Sequence, residues 1–155
     1  MISRRHFLLL TGVAIATPVK GQLPPNIAEI RKAALQQAIG KVVGNAQVRT
    51  GRVKLEIPPL IDNGNAVPVT VEVESPMTQA DHVTAIHLFT ERNPQPYVFS
   101  AHLGPRAGKA RVAARARIAD TGDVVAIAQM SDGSFWQESV KVIVTLSACL
   151  EEGLI

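Results

Sequence analysis

The sequence predicts an all-β fold, an immunoglobulin-like β-sandwich of about seven strands, preceded by one amphipathic helix. Three observations support this prediction. From about Thr50 onward, apolar and polar residues alternate with a period of two, which is typical of half-buried strands. Pro, Gly, Asn and Asp interrupt this alternation at short intervals, as turns do. An earlier stretch instead repeats its apolar residues at helical spacing.

The helix is expected over residues 26–43. Asn26 is a good N-cap residue, and Glu29 three places later completes a capping-box pattern. Gly40 and Gly44 offer stops. The residues expected on its apolar face are Ile27, Ile30, Ala34, Leu35, Ala38 and Ile39.

The strands are expected at about 50–57, 67–74, 83–90, 97–103, 109–118, 123–131 and 134–146. The second is the clearest, because every other residue from Val67 to Val73 is a valine. Asp132-Gly133, between the last two strands, is a strong signal for a two-residue hairpin. Aromatic residues make up only 4% of the chain, so the core must be filled by aliphatic side chains.

The first sixteen residues have the features of an export signal. Arg4 and Arg5, with Phe7 two places later, match the twin-arginine pattern, and an apolar run follows. That run is too short for a stable membrane anchor. An ordinary secretory signal with two chance arginines is the alternative. We expect a twin-arginine signal peptide at 1–16, a lead-in and helix at 17–48, the sandwich at 49–146 and a tail at 147–155, in a periplasmic protein.

Charge and motifs exclude several functions. The formal net charge of +3 falls to +1 when Arg4 and Arg5 are removed with the signal, so nothing favours nucleic-acid binding. No cofactor motif is visible, and no catalytic residues are assigned. The four histidines have no metal-binding spacing, so no metal site is assigned either. The twin-arginine route carries folded proteins, which for a chain without a cofactor suggests assembly with a partner that lacks its own signal.

Cys149 is the only cysteine, and six residues follow it. In an oxidising compartment it is paired with another chain, covalently modified or kept as a reactive thiol, or else it is a small buried hydrophobe. It lies three residues beyond Leu146, a reach of about 10 Å when extended. Glu151 and Glu152 oppose thiolate formation, because like charges repel. An unactivated thiol of this kind suits a carrier whose reactivity is supplied by the enzyme that receives it.

Two surface features remain open. Val125, Ile127 and Ile143 break the alternation of the last two strands and are expected to form an apolar patch on the outer face, covered either by the helix or by a second subunit.

Basic residues gather on and before the strand at 109–118. This basic strip comprises Arg106, Lys109, Arg111, Arg115 and Arg117. It either discourages pairing at a sheet edge or docks an acidic partner or anion.

Several blocks of the sequence resemble the SoxY family, sulfur carriers of bacterial thiosulfate oxidation. They are residues 56–77, Ala85-Ile-His-Leu-Phe89, residues 102–108, residues 128–136 and the strand 142–145 that leads to Cys149. The resemblance implies an immunoglobulin-like sandwich paired with SoxZ, a second sandwich without an export signal. It also implies that Cys149 carries sulfur intermediates covalently.

The resemblance implies enzyme partners as well. These are SoxXA, a haem cytochrome that attaches thiosulfate, and SoxB, a manganese hydrolase that removes sulfate. SoxCD, which oxidises the remaining sulfane sulfur, is a further candidate. The chain departs from the family at its tail, which in the family reads Gly-Gly-Cys-Gly-Gly and stops. Here the tail reads Ser147-Ala148-Cys149-Leu150-Glu151 and continues to Ile155. A SoxY-like binding or assembly module without covalent sulfur loading is therefore the alternative.

Overall fold

Two β-sheets pack face to face in the computed structural model, which describes residues 26–145. One helix and nine strands make up this part of the chain. They are α1 (Ile27–Val43), β1 (Val48–Thr50), β2 (Val53–Glu56), β3 (Leu60–Ile61), β4 (Val67–Val73), β5 (Val83–Thr90), β6 (Tyr97–His102), β7 (Arg111–Ala116), β8 (Gly122–Met130) and β9 (Phe135–Val144), with a 3₁₀ turn at Pro105–Ala107.

The larger sheet has the order β1-β9-β8-β5-β6, with β3 also paired to β9, and the smaller sheet has the order β2-β4-β7. β1 and β3 run parallel to β9, and the other pairs are antiparallel. Between the sheets lies an aliphatic core in which Val71, Ile86, Leu88, Ala126 and Val142 are completely buried. The predicted sandwich is confirmed, and all seven predicted strands are present. The short strands β1 and β3 were not predicted.

The predicted helix is confirmed, with one correction to its buried face. The side chain of Asn26 accepts a hydrogen bond from the backbone N–H of Ala28 at 3.2 Å, and the helix ends at Gly44, whose φ is +59°. Only Leu35 is fully buried within the helix. Ile27 and Ile30 are 65% and 51% exposed. Ile30 lines a cleft of about 350 Å³ together with the loop after β5, and the helical side chains that pack on the sheet begin at Leu35.

The three residues expected to form an apolar patch on the outer face, Val125, Ile127 and Ile143, lie in two separate surroundings. Val125 and Ile127 are 7% and 0% exposed, in a cluster with Leu35 and two phenylalanines, Phe89 and Phe135. The helix covers them, which was one of the two covers considered. Ile143 lies elsewhere on the face and is 53% exposed. Within residues 26–145, no helix is both long enough and apolar enough to cross a bilayer.

Candidate functional site at the root of the C-terminal tail

The predicted sulfur-attachment residue, Cys149, lies outside the described residues, as do the export residues Arg4, Arg5 and Phe7. The structure describes the chain up to Thr145, one residue beyond the end of β9. Cys149 follows Thr145 by four residues, a maximum reach of about 14 Å. The site that can be built from described residues is therefore the root of the tail, where β9 ends.

The root is bonded to the strand segment that precedes the Asp62–Asn65 turn. The backbone N–H of Ile143 donates to the carbonyl of Pro59 at 2.9 Å, and the backbone N–H of Thr145 donates to the carbonyl of Ile61 at 2.9 Å. The Thr145 hydroxyl also donates to the carbonyl of Asp62 at 3.1 Å. These bonds continue the parallel pairing of β3 with β9 to the last described residue.

The other side of the root is held by one threonine hydroxyl. Thr121 Oγ1 accepts a hydrogen bond from the backbone N–H of Val144 at 2.9 Å and donates to the Val144 carbonyl at 3.4 Å. Val144 itself is 7% exposed, with its side chain in the core between the sheets. The backbone is therefore held on both sides at Val144 and Thr145.

Two large apolar side chains stand exposed at the root. Leu60 and Ile143 are direct partners in the β3–β9 pairing, so they are neighbours on the same face. They are 58% and 53% exposed. We call Leu60 and Ile143 the root pair. Of the three residues predicted for a partner interface, only Ile143 is exposed, and its companion is Leu60.

Charged groups of both signs lie close to the root in the chain. Asp62 and Asp120 are both exposed, and Asp120 precedes the clamping Thr121. The backbone N–H of Thr121 donates to Asp120 Oδ1 at 2.7 Å. Among residues 26–145, no three His, Cys, Asp or Glu side chains lie close enough together to hold a metal ion. The exposed ammonium group of Lys141, two residues before Ile143 on β9, adds a positive charge to these two carboxylates.

Two of the described histidines make hydrogen bonds. His82 Nδ1 lies 3.1 Å from the Thr78 carbonyl, and His87 Nδ1 lies 3.1 Å from the Tyr97 hydroxyl. His87 is 7% exposed, and its Nε2 is buried without a partner among the described residues. Burial, and secondly the charge of nearby His102, lower the pKa of His87 below its ordinary value. His87 is therefore neutral in the folded protein near neutral pH.

Sequence reasoning missed two residues at the root, Leu60 and Thr121. Leu60 follows Pro58-Pro59, where the first predicted strand ends. Its strand has only two residues, too few to show alternation, and it forms by parallel pairing with the distant β9. Thr121 sits in the Asp120–Gly122 turn, where its type is ordinary. Neither carries a signal that alternation or turn chemistry could have revealed.

Comparison with known proteins identifies the family. The profile described as "Sulfur oxidation protein SoxY" matches residues 39–149, so the match extends through the tail root to Cys149. Among solved structures, the sulfur carrier protein SoxY from Chlorobium limicola f thiosulfatophilum is 30% identical, with a TM-score of 0.62. The alignment covers 74% of this chain and 99% of that one.

Other similar structures share the fold alone. Superoxide reductase (neelaredoxin) from Ignicoccus hospitalis is 16% identical with a TM-score of 0.56, over 63% of this chain and 94% of that one. Superoxide reductase from Nanoarchaeum equitans is 15% identical with a TM-score of 0.51, over 62% and 100%. No curated protein matches the chain significantly by sequence. The extent of the profile match, together with the Chlorobium structure, shows that this chain belongs to the SoxY family.

Proposed function

We propose that this chain is a periplasmic sulfur carrier without catalytic activity of its own, which holds sulfur intermediates covalently on Cys149 and presents them to Sox enzymes. The observation that carries the proposal is the family match, which covers residues 39–149 and so includes Cys149. The anchored root supports it. A carrier must hand its cargo to several enzymes, and a tail that starts from a fixed point of a rigid body suits that task.

The chemistry proposed for Cys149 is a sulfur–sulfur bond. The cysteine sulfur joins the sulfane sulfur of thiosulfate, the thiol loses its proton, and two electrons pass to an acceptor. The acceptor in this scheme is the haem cytochrome SoxXA. Water then cleaves the outer sulfur–sulfur bond on SoxB, which releases sulfate and leaves a persulfide on Cys149; SoxCD would oxidise that sulfane sulfur. The carrier supplies the attachment point and the enzymes supply the activation.

A direct test is the intact mass of the protein isolated from cells grown on thiosulfate. We expect adducts of thiosulfonate or persulfide mass on the wild type and none on Cys149→Ala, which should also abolish thiosulfate oxidation. Cys149→Ser is the closer control, because it keeps the size of the side chain and removes only the sulfur. An unmodified wild type under active oxidation, with normal oxidation in both variants, would refute covalent loading.

The alternative function is a SoxY-like binding or assembly module without covalent loading. The tail favours it specifically, because Leu150 and Glu151 replace the two glycines that follow the cysteine in the family. Glycine keeps a peptide thin, whereas a leucine side chain widens it at the entrance to an enzyme channel. If bulk alone limits loading, Leu150→Gly should increase the fraction of adduct severalfold in the same mass measurement. Absence of adduct on both proteins would favour the assembly module.

We further propose that a SoxZ-like sandwich subunit docks at the root pair. Two adjacent, half-exposed aliphatic side chains beside the tail offer a partner an apolar contact that would also place it next to the cargo. Leu60→Glu and Ile143→Glu should each prevent co-purification with such a partner and leave the melting temperature nearly unchanged. Ile127→Glu is unsuitable as a test, because Ile127 is completely buried under the helix and a carboxylate there would unfold the protein.

Unaltered pairing in both glutamate variants would remove the root pair from the interface. That outcome would leave the carrier proposal intact, since covalent loading is read from the mass of Cys149 adducts.

A further inference from the structure

The smaller sheet ends at β7, an edge that is open within the part of the chain that the structure describes. Within residues 26–145, β7 pairs with β4 alone. The backbone N–H of Val73 donates to the carbonyl of Ala110 at 2.9 Å, which fixes the phase of the ladder. Residues 112, 114 and 116 therefore direct their backbone groups toward β4, and residues 111, 113 and 115 direct theirs away from the sheet. Among residues 26–145, no strand pairs with the N–H and C=O groups of these three alternate residues.

The side chains of β7 add a pattern to this edge. Arg111, Ala113 and Arg115 are exposed on the outer face, whereas Val112 and Ala114 face the core and remain only partly buried. Val112 packs against the buried core from its margin. An additional strand beside β7 would thus lie next to the arginines on the outer face and next to the partly buried Val112 and Ala114 on the core face.

The basic strip concentrates positive charge at the same edge. All five of its residues are exposed. The ion pairs found among the described residues are made by Arg52, Lys54 and Arg92, and none involves the strip. On the occupied side of β7, Glu72 of β4 stands directly opposite Arg111. The open side has no such carboxylate among the described residues.

The simpler explanation is that the charged arginines keep other strands from pairing with this edge, but their placement argues against it. Their side chains rise from the outer face, the strand contains neither proline nor a bulge, and its centre is the small residue Ala113. A strand could approach without displacing them, provided that it carried the opposite charge.

We infer that the β7 edge binds an extended acidic segment of a partner protein by strand addition. The incoming antiparallel strand carries carboxylates at positions i and i+4, opposite Arg111 and Arg115, with a small residue opposite Ala113. Its apolar residues at i+1 and i+3 extend the core beside Val112 and Ala114. Cross-strand pairs of this kind lie about 5 Å apart between Cβ atoms, close enough for ion pairing. Backbone bonds supply affinity and the charge pattern supplies selectivity.

The test uses the full-length protein and a synthetic peptide, Thr-Glu-Val-Thr-Val-Glu-Thr with blocked ends, followed by NMR hydrogen exchange. The Ala113 and Arg115 amides should exchange about tenfold more slowly when the peptide is present at about nine times its Kd. The amides of residues 112, 114 and 116, already bonded to β4, should not change. A peptide with lysine in place of both glutamates should not bind.

Two variants separate strand addition from general charge attraction. Arg115→Glu should weaken peptide binding at least tenfold, whereas Lys32→Glu, an equal change of charge on the exposed face of α1, should leave it within twofold. Peptide-induced shifts without slower exchange at Ala113 and Arg115 would show that the strip attracts charge only, and would overturn the inference. Equal binding of the lysine peptide, or no binding at millimolar concentration, would overturn it as well.

Discussion

The outer face of the larger sheet carries two apolar regions that differ in what covers them. Under α1, Val125 and Ile127 pack with Leu35 and are almost completely buried. At the tail root, Leu60 and Ile143 are more than half exposed. Val125, Ile127 and Ile143 share one sequence feature, because each is an apolar residue on the polar side of an alternating strand. The pattern therefore predicts an apolar outer face, and only the position of α1 shows which part of that face is covered.

This difference separates stability from interaction. Burial of a large aliphatic side chain contributes about 1.5–3 kcal/mol to folding, and the root pair forgoes much of that contribution. A side chain that stays exposed beside a functional tail is free to make the same contact with another protein. The covered patch thus belongs to the fold, and the root pair is where we expect function.

The largest expected effect is a difference in stability between two isoleucine-to-alanine variants, one in each region. Ile127→Ala should lower the free energy of unfolding by about 2–5 kcal/mol, because it leaves a cavity beneath the helix. Ile143→Ala should change it by less than about 0.5 kcal/mol, since the side chain is half exposed. Urea unfolding of both variants measures the contrast. Equal losses would mean that Ile143 is packed as tightly as Ile127, and the division into two regions would fail.

Much of this fold could be predicted from the sequence because its signals are local. Alternation such as that from Val67 to Val73, the N-cap at Asn26 and the turn at Asp132-Gly133 each depend on neighbouring residues. Strand β3 could not be predicted, because two residues with proline before them form a strand only when β9 is already in place. The same limit applies to α1, whose first isoleucines look buried in the pattern and are exposed in the structure.

The candidate site was predictable only in part for the same reason. Cys149 could be identified because a single cysteine near the tail is conspicuous in one sequence. The clamp by Thr121 depends on residues 23 positions apart, and the pairing of Leu60 with Ile143 on residues still more distant. Contacts of this length are decided by the packing of the whole sandwich.

A second, smaller effect should sharpen the description of the root. Thr121→Val removes the hydroxyl that binds the backbone of Val144 and leaves that partly buried N–H without this partner, a cost of about 1–3 kcal/mol. Hydrogen exchange at Val144 should accelerate accordingly. Thr84→Val is the matched control, because it removes a hydroxyl bonded to the Gln129 carbonyl, away from the tail. If both variants changed Val144 exchange alike, the root would not be held locally.

The smallest expected effect is a pH dependence of the free energy of unfolding. It arises at His87, which lies beside the patch that the helix covers. His87 pairs across the sheet with Ile127, and burial lowers its pKa in the folded state below the ordinary value of 6.5. The unfolded chain therefore binds the proton more readily, so the free energy of unfolding decreases as the pH falls below about 6.5 and levels off below the folded-state pKa. His87→Gln should remove this slope while keeping a group able to bond to Tyr97.

Thermal unfolding of both proteins between about pH 7 and pH 5 measures the difference, with His82→Gln, an exposed-loop change, as the control. An identical slope in wild type and His87→Gln would assign the pH dependence to other groups and leave the covered patch insensitive to acid.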